Sequence, residues 1–485
     1  MHYLKSILLT AVLCQGLAGA ELAGSQPNII FVLTDDQGMG DLSCMGNPYL
    51  KTPHIDRFYE QSTRFADFQV SPTCAPTRAA LMSGRFPFRV GVTHTIKQRE
   101  RMALEVYTLP EMLQSAGYQT GIFGKWHLGD GAEYLPQARG FNEVLIHGAG
   151  GIGQVGLGDF EANGQNKYFD NVLYHNDKVV KTEGFCTDTF FDAAERWIKK
   201  QEDAGDPYFA FIPLNAPHGP MIAPAQSKKR FLEMGMDGRS AARYGMIENI
   251  DDNFGEMMGK LKSWGALENT IVIFMTDNGM SMGKIRIKGE SITPFNAGLK
   301  AGKNRPWEGG THVPSFWYWD QLGHGVDIKA LTAHIDLYQT FAELAGATLP
   351  EKMQELDGRS LLPLLKDPQA EWEDRKLFIH CGRWDAGKRD SEKYKNCAVR
   401  SQRWRLVNNE ELYDIANDPS ETTNVIEQHP EVVKELRAAY EEWWNGSVDL
   451  MINEGLDSVK EHPLHQVYTA QEKSEGIPFY DVKGE

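Results

Sequence analysis

Four short runs of consecutive apolar residues punctuate the chain, and each ends on a cluster of polar residues. Asn28–Thr34 (Asn-Ile-Ile-Phe-Val-Leu-Thr) runs into Asp35-Asp36, and Thr270–Thr276 (Thr-Ile-Val-Ile-Phe-Met-Thr) runs into Asp277-Asn278-Gly279. Residues 119–123 lead to Gly124-Lys125-Trp126-His127, and residues 208–214 lead to Asn215-Ala216-Pro217-His218-Gly219-Pro220. Unbroken apolarity, rather than alternation, marks strands buried on both faces. Helical spacing of apolar positions fills the intervals, at 109–116, 187–199, 244–264 and 334–345. Strands alternating with helices predict an α/β fold built on a large, mainly parallel sheet sandwiched by helices. Such sheets bind ligands beyond the carboxyl ends of their strands, where all four polar clusters fall.

The pattern changes after residue 376. Leu377–His380, Cys397–Arg400, Trp404–Val407 and Glu411–Asp414 are short strand-like runs with tight turns between them, followed by an amphipathic helix over 430–444. They predict a smaller antiparallel sheet with a packed helix, hence a catalytic α/β domain at 21–375 and a C-terminal α+β subdomain at 376–485. Residues 1–20 carry Lys5, an apolar run at 7–13 and the small-residue end Ala18-Gly19-Ala20. This is the form of a cleaved secretory signal, so the expectation is a periplasmic or secreted protein with no membrane anchor. Removing the signal leaves Cys44, Cys74, Cys186, Cys381 and Cys397. Export permits disulfides, and Cys381 and Cys397 bracket one loop-rich segment, which makes them the expected pair.

Charge narrows the partners. A formal net charge of −16 argues against nucleic acid or an anionic membrane, so an anionic ligand needs a local basic pocket. The segment 284–305 supplies a surplus of Lys and Arg, and Lys303, shortly before Trp307-Glu308-Gly309-Gly310, is the one expected to turn inward. Asp35, Asp36, Asp277 and Asn278 offer hard oxygens without thiolate or imidazole, a set suited to Ca²⁺ or Mg²⁺ and poor for zinc. Lys125 and His127, two apart in an extended segment, are expected to project to one side together. His218 lies in a proline-stiffened loop. Cys74 stands at the mouth of a predicted helix over 77–82, near outward-pointing N–H groups and one turn before Arg78. From the residues alone it is either an acidified thiolate nucleophile or a small buried structural thiol.

Cys74, Pro76, Thr77, Arg78, Leu81, Ser83, Gly84 and Arg85 fit the pattern Cys-x-Pro-Ser/Thr-Arg followed by Leu-x-Thr/Ser-Gly-Arg. In this the chain resembles the type I, formylglycine-dependent sulfatases of the alkaline phosphatase superfamily. The likeness extends over nearly the whole chain beyond the signal, because Asp35-Asp36, Gly124-Lys125-Trp126-His127, Pro217-His218, Asp277-Asn278 and Lys303 follow in the family's order. A thiolate beside clustered carboxylates is expected to be disfavoured, and a hard cation prefers oxygen to sulfur. The resemblance removes this difficulty, since it implies that a maturation enzyme converts Cys74 to formylglycine, whose hydrate offers two hydroxyl oxygens.

The resemblance further implies that Asp35, Asp36, Asp277, Asn278 and modified Cys74 hold Ca²⁺, and that Arg78 stabilises the hydrate. Lys125 and Lys303 would clamp the sulfate, His218 would protonate the leaving alcohol, and His127 would take the proton of the second hydroxyl. A sulfated carbohydrate is the implied substrate, with His94, Arg89, Trp307, Arg383 and Trp384 expected to line its subsites. One departure stands out: where family members often carry arginine after Glu-Gly-Gly-x, this chain has Thr311-His312. The local support of that loop, and a substrate contact there, are therefore open. Two other readings also remain open here: a phosphodiesterase or phosphonate monoester hydrolase of the same superfamily, and a non-catalytic glycan-binding protein in which Cys74 stays a thiol.

Overall fold

The computed structural model describes residues 22–160, 167–281 and 283–484, so the expected signal at 1–20 lies outside the described residues. Its centre is a ten-stranded sheet. In chain order the strands are β1 (Asn28–Thr34), β2 (Thr63–Phe65), β3 (Gln119–Lys125), β4 (Glu143–His147) and β5 (Val172–His175). They continue with β6 (Lys178–Lys181), β7 (Tyr208–Pro213), β8 (Thr270–Thr276), β9 (Ser315–Tyr318) and β10 (Val326–Ile328). Their spatial order is β10-β2-β9-β8-β1-β7-β3-β4-β5-β6. The middle strands β8, β1, β7, β3 and β4 are parallel to one another, whereas β9, β5 and β6 bring in antiparallel pairs.

Unbroken apolarity in β1 has the cause expected of it, because successive side chains serve opposite layers. Ile29, Phe31 and Leu33 join a core with α2 (Cys74–Ser83), α3 (Leu109–Ser115) and α6 (Asp336–Ala345), through residues such as Leu81, Leu109 and Phe341. Ile30 and Val32 face the other way, onto Phe58 of α1 (Pro53–Gln61), Phe190 of α4 (Cys186–Ala204) and Phe254 of α5 (Gly238–Trp264). At roughly 2 kcal/mol for each fully buried side chain of this size, sliding β1 by one residue would exchange the two layers at a cost no turn could offset. Burial therefore fixes where the polar strand ends emerge.

Beyond the large sheet, β11 (Leu377–His380), β12 (Cys397–Arg400), β13 (Trp404–Val407) and β14 (Glu411–Asp414) form a four-stranded antiparallel meander covered by α7 (Pro430–Ser447). Its core takes in Phe86 and Phe88, from the chain just after α2, and Phe88 stacks on Trp443 with ring centroids 5.6 Å apart. The small sheet is thus seated on the segment that leaves the Cys74 helix.

The expected Cys381–Cys397 bridge is absent, and both thiols are free. His380 and Cys397 are direct partners across β11 and β12, so alternation sends Cys381 to the opposite face of the ladder. Among the described residues no helix is long and apolar enough to cross a membrane. Alkylating the denatured protein without reductant should label both Cys381 and Cys397, read by peptide mass, and a cross-linked pair of peptides would contradict this arrangement.

Candidate active site and metal centre

The two sequence-alike strands β1 and β8 are hydrogen-bonded neighbours in register, Thr34 opposite Thr276. Asp35-Asp36 and Asp277-Asn278 therefore leave the sheet side by side, with Asp36 N donating to Asp277 Oδ1 at 3.1 Å. Asp36 takes a left-handed backbone, φ 65°, a strain of about 1 kcal/mol for a side-chain-bearing residue. Arg243 of α5 holds it there through the Asp36 carbonyl at 3.1 Å, and Asn278 Nδ2 donates to Asp36 Oδ1 at 2.9 Å. Cys74, the first residue of α2, points into the same space and is 2% exposed. One ligand atom from each of Asp35, Cys74 and Asp277 lies within 4.8 Å of the others.

Each of the three acids has a cationic partner. Lys125 Nζ lies 2.5 Å from Asp35 Oδ2, Lys303 Nζ 2.5 Å from Asp36 Oδ1, and Arg78 Nη2 2.9 Å from Asp277 Oδ2. Burial pushes the Asp35 and Asp36 carboxyls up, but Lys125 and His218 at the first, and Lys303 and His218 at the second, hold both below the ordinary carboxylate range. Asp277 goes the other way: burial and the nearby Asp35 charge raise it well above that range despite Arg78. The expectation that a thiolate is disfavoured here is corrected. Burial raises the Cys74 thiol, but Lys125 and Lys303 together outweigh both that and the acids, and the net direction is down.

The fit to a divalent ion rests on unspent oxygens. Asp35 Oδ1 and Asn278 Oδ1 are buried and have no hydrogen-bond partner among the described residues. Leaving such atoms bare costs about 1–3 kcal/mol each, which a hard cation would recover. The residues present fit Ca²⁺ or Mg²⁺.

The histidines are placed by different means. β3 runs through Lys125 itself, and His127 then turns left-handed at φ 62°, so the predicted extended segment stops short of it. His127 Nε2 donates to Thr95 O at 2.7 Å; burial and then Lys125 hold the ring neutral, well below the ordinary imidazole value. Its proton is thereby fixed on Nε2, and Nδ1 is left buried and bare. His218 Nδ1 donates to Gly219 O at 2.7 Å, and Nε2 faces Asp36 Oδ2 from 3.9 Å.

The Gly148-Ala149-Gly150-Gly151-Ile152-Gly153 run after β4 is a part that the sequence reading missed. A Cβ on Gly150 would meet His127 Nε2 at 2.4 Å, and one on Gly151 would meet His218 Cε1 at 3.0 Å. The glycine density of the run was the available signal.

Of the expected subsite residues, Arg383 and His94 come to the site's neighbourhood: Arg383 Nη2 donates to Thr95 Oγ1 at 2.7 Å, and His94 adjoins Thr95. The other three are engaged elsewhere. Arg89 pairs with Asp357, which also accepts the Phe86 amide and so secures the chain after α2. Trp384 is 6% exposed, packed on Phe88 and beneath Arg99, with its indole N–H on Glu454. Trp307 donates to Glu411 at 3.1 Å and lies under Lys300, against the small sheet.

The turn at Glu308-Gly309-Gly310 is supported from a distance. Arg405 of β13 and Arg400 of β12 reach Glu308 at 2.7 and 2.9 Å, and His312 adds a third contact at 2.9 Å. Thr311 receives an Arg405 hydrogen bond at 3.0 Å, and His312 Nε2 is spent on Ala66 O, so His312 is directed away from the metal cradle. The turn must be glycine because backbone crowds it: Cβ atoms on Gly279 and Gly310 would lie 1.8 Å from Gly309 O and 2.1 Å from Arg305 O. Through Gly279 N to Gly310 O and Gly309 N to Lys300 O, this turn ties the end of β8 to the loop carrying Lys303.

A buried oxygen cradle beside a helix-start nucleophile position, at the carboxyl ends of a mixed and mainly parallel sheet, defines a hydrolase of the alkaline phosphatase-like superfamily. The chain belongs to the sulfatase family: residues 27–347 match the family described as Sulfatase, and residues 306–444 match the one described as N-sulphoglucosamine sulphohydrolase, C-terminal. It is a sulfuric ester hydrolase. N-acetylgalactosamine-6-sulfatase of Rattus norvegicus is 31% identical over 405 residues, 78% of this chain and 72% of that one. Arylsulfatase A of Homo sapiens is 30% identical over 488 residues, 89% of each. The solved structure of Ps i-CgsB in complex with k-i-k-neocarrahexaose is 28% identical with a TM-score of 0.76, covering 93% of this chain and 98% of that chain. Members of the family generally use formylglycine and a divalent metal.

Replacing Arg405 with Met strands part of the Glu308 charge in the interior, and urea unfolding should show a loss of about 3 kcal/mol. Glu308 is held well below its usual 4.5 by Arg405 and Arg400 against burial, so its share of stability exists above pH 4.5 and fades as pH falls through the folded value. His312 is raised above 6.5 because Glu308 outweighs burial, so its share exists below pH 6.5 and fades as pH rises through the folded value. A Tm profile should accordingly lose its alkaline decline in His312→Gln, and an unchanged profile would refute the pairing.

Proposed function

We propose that this protein is an exported carbohydrate sulfatase whose working nucleophile is formylglycine made from Cys74, with Ca²⁺ held by Asp35, Asp36, Asp277 and Asn278. The observation that carries the metal and nucleophile is the pair of bare, buried oxygens, Asp35 Oδ1 and Asn278 Oδ1, beside Cys74. The carbohydrate part is supported by the relatives, one named N-acetylgalactosamine-6-sulfatase and another solved in complex with k-i-k-neocarrahexaose. Export is supported by the form of residues 1–20.

When present, the ion and the hydrated aldehyde supply a Lewis-acid charge and an oxygen nucleophile with a second hydroxyl, through which the enzyme discharges sulfate without water attacking sulfur. The chain's own residues do the rest. In the site as it stands Lys125 and Lys303 are paired with Asp35 and Asp36, so neither is free for a sulfate. Asp35 and Asp36 would hold the divalent cation, and with their charge met in that way Lys125 and Lys303 would bind sulfate oxygens and offset the charge that grows on them. Arg78 keeps the position at residue 74 oriented through its bonds to Asp277 and the Lys125 carbonyl. His218 carries a proton at Nε2 toward the leaving alcohol oxygen, its ring fixed by the Nδ1 bond to Gly219 O. His127, neutral with Nδ1 bare, accepts the proton of the second hydroxyl. The glycine-rich run over both rings excludes water without crowding them.

In protein made beside a maturation enzyme, the mass of the Cys74 peptide should show aldehyde instead of thiol, and Cys74→Ala should lose more than about 10³-fold in turnover of sulfated oligosaccharides while keeping its Tm. Thiol alone in an active preparation would sink the mechanism. Ca²⁺ added to chelator-stripped protein should raise Tm, more than Mg²⁺ does, and Asp35→Asn should remove the increase. A Tm indifferent to both ions would refute the cradle. A desulfation screen over defined algal and animal oligosaccharides, with phosphate diesters alongside, separates this reading from a phosphodiesterase.

A further inference from the structure

The rim of the site carries positive charge that the chain itself does not neutralise. Arg383 is exposed and forms no ion pair with any described residue. Its guanidinium hydrogen bond goes to Thr95 Oγ1, and the carbonyl of the same Thr95 accepts from His127 Nε2. Arg383 is thus tethered one residue away from the proton acceptor.

Arg305 is exposed and equally without an ion pair among the described residues. It stands two residues after Lys303, on a loop pinned to the nucleophile loop by Asn304 N donating to Pro72 O at 2.8 Å. Both arginines hang from segments that border the site: Arg383 is bonded to Thr95, and the residue before Arg305 is bonded to Pro72, two residues ahead of Cys74. Lys97 adds a further charge, and the nearby acid, Asp385, is 88% exposed and 4.0 Å from Lys97.

Other arginines near this rim are spent on folding: Arg99 on Glu454, Arg89 on Asp357, Arg400 and Arg405 on Glu308. His94 completes the wall as a neutral donor. Its Nδ1 accepts the N–H groups of Thr95 and Ile96, which puts the ring proton on Nε2, and burial with Arg99 keeps the ring uncharged down to about 3.

We infer that Arg383 and Arg305 form an anion subsite for a second sulfate or carboxylate of the substrate, carried beside the ester that is cleaved, with His94 Nε2–H bonding a sugar hydroxyl. This rests on the carbohydrate reading above. Guanidinium matches sulfate and carboxylate geometry through paired N–H donors. In a chain of net charge −16, two unpaired arginines above a sulfate site also select for polyanionic chains against the general field.

The test uses the mature enzyme and matched pairs of oligosaccharides with the same scissile sulfate, one member bearing a second sulfate on the adjoining sugar, together with 4-nitrophenyl sulfate. Arg383→Gln and Arg305→Gln should each lower kcat/KM on the doubly sulfated member by about tenfold, mainly through KM, with less than about threefold change on the singly sulfated one. Arg383→Lys should recover part of the loss, and Arg57→Gln on α1, a charge control far from the chemistry, should keep the wild-type preference. Equal losses on both members would assign Arg383 to supporting Thr95 and His127 and overturn the subsite, as would no loss on either. A wild type that turns over 4-nitrophenyl sulfate and no sulfated oligosaccharide would overturn the carbohydrate reading and the subsite together. Turnover of both members with an unaltered ratio in the variants would overturn the subsite alone.

Discussion

Three carboxyl groups at the ends of two adjacent strands cannot be buried together unless positive charge is buried with them, and the catalytic half is arranged around that requirement. An isolated carboxylate in the interior would cost several kcal/mol after relaxation, more than any single packing contact returns. The compensation comes from three separate places in the chain: Arg78 from the first turns of α2, Lys125 from the end of β3, and Lys303 from the loop before Glu308. Each of those groups is charged, hydrogen-bonded and nearly excluded from water, so each must arrive on a rigid element. This is why the strands beneath the site are apolar on both faces and long enough to be held by two layers of helices.

A second buried charge cluster stabilises the first. Glu308 sits on the turn that clasps both the end of β8 and the Lys303 loop, and its own charge is met by two arginines of the small sheet. The small sheet is therefore an electrostatic part of the catalytic half as well as a cover seated on Phe86 and Phe88. The close group of Asp67, Glu308 and His312 has the look of a metal site, but Arg400 and Arg405 already saturate its acidic charge.

Local pattern conveyed the strands, the acids at their ends and the nucleophile helix, because those features depend on burial period and on residues adjacent in sequence. Asp35-Asp36 and Asp277-Asn278 could be matched from the likeness of β1 and β8 alone. What could not be read was anything decided by long-range partnership. Nothing near Thr311-His312 announces that Arg400 and Arg405 come to meet Glu308. Trp384 and Arg89 look like ligand-facing residues in sequence, and they are claimed by Glu454 and Asp357 far along the chain. The Cys381–Cys397 pair failed for a local reason that becomes visible once the β11–β12 register is known, since one residue of offset turns the two sulfurs to opposite faces. The Cys74 thiol is more acidic than burial and its acidic neighbours alone imply, because two lysines arrive from other elements to outweigh them.

The depth of Cys74 also sets a timetable. In the finished fold its sulfur is sealed beneath strand ends and loops drawn from across the catalytic half, and the turn that locks those loops waits for Arg405, which lies 331 residues after Cys74. At ~5–20 residues per second of synthesis, the chain spends roughly 20–60 s with Cys74 made and its lock unmade. Any enzyme that acts on that sulfur would meet it open only in this interval or on a chain kept unfolded afterwards.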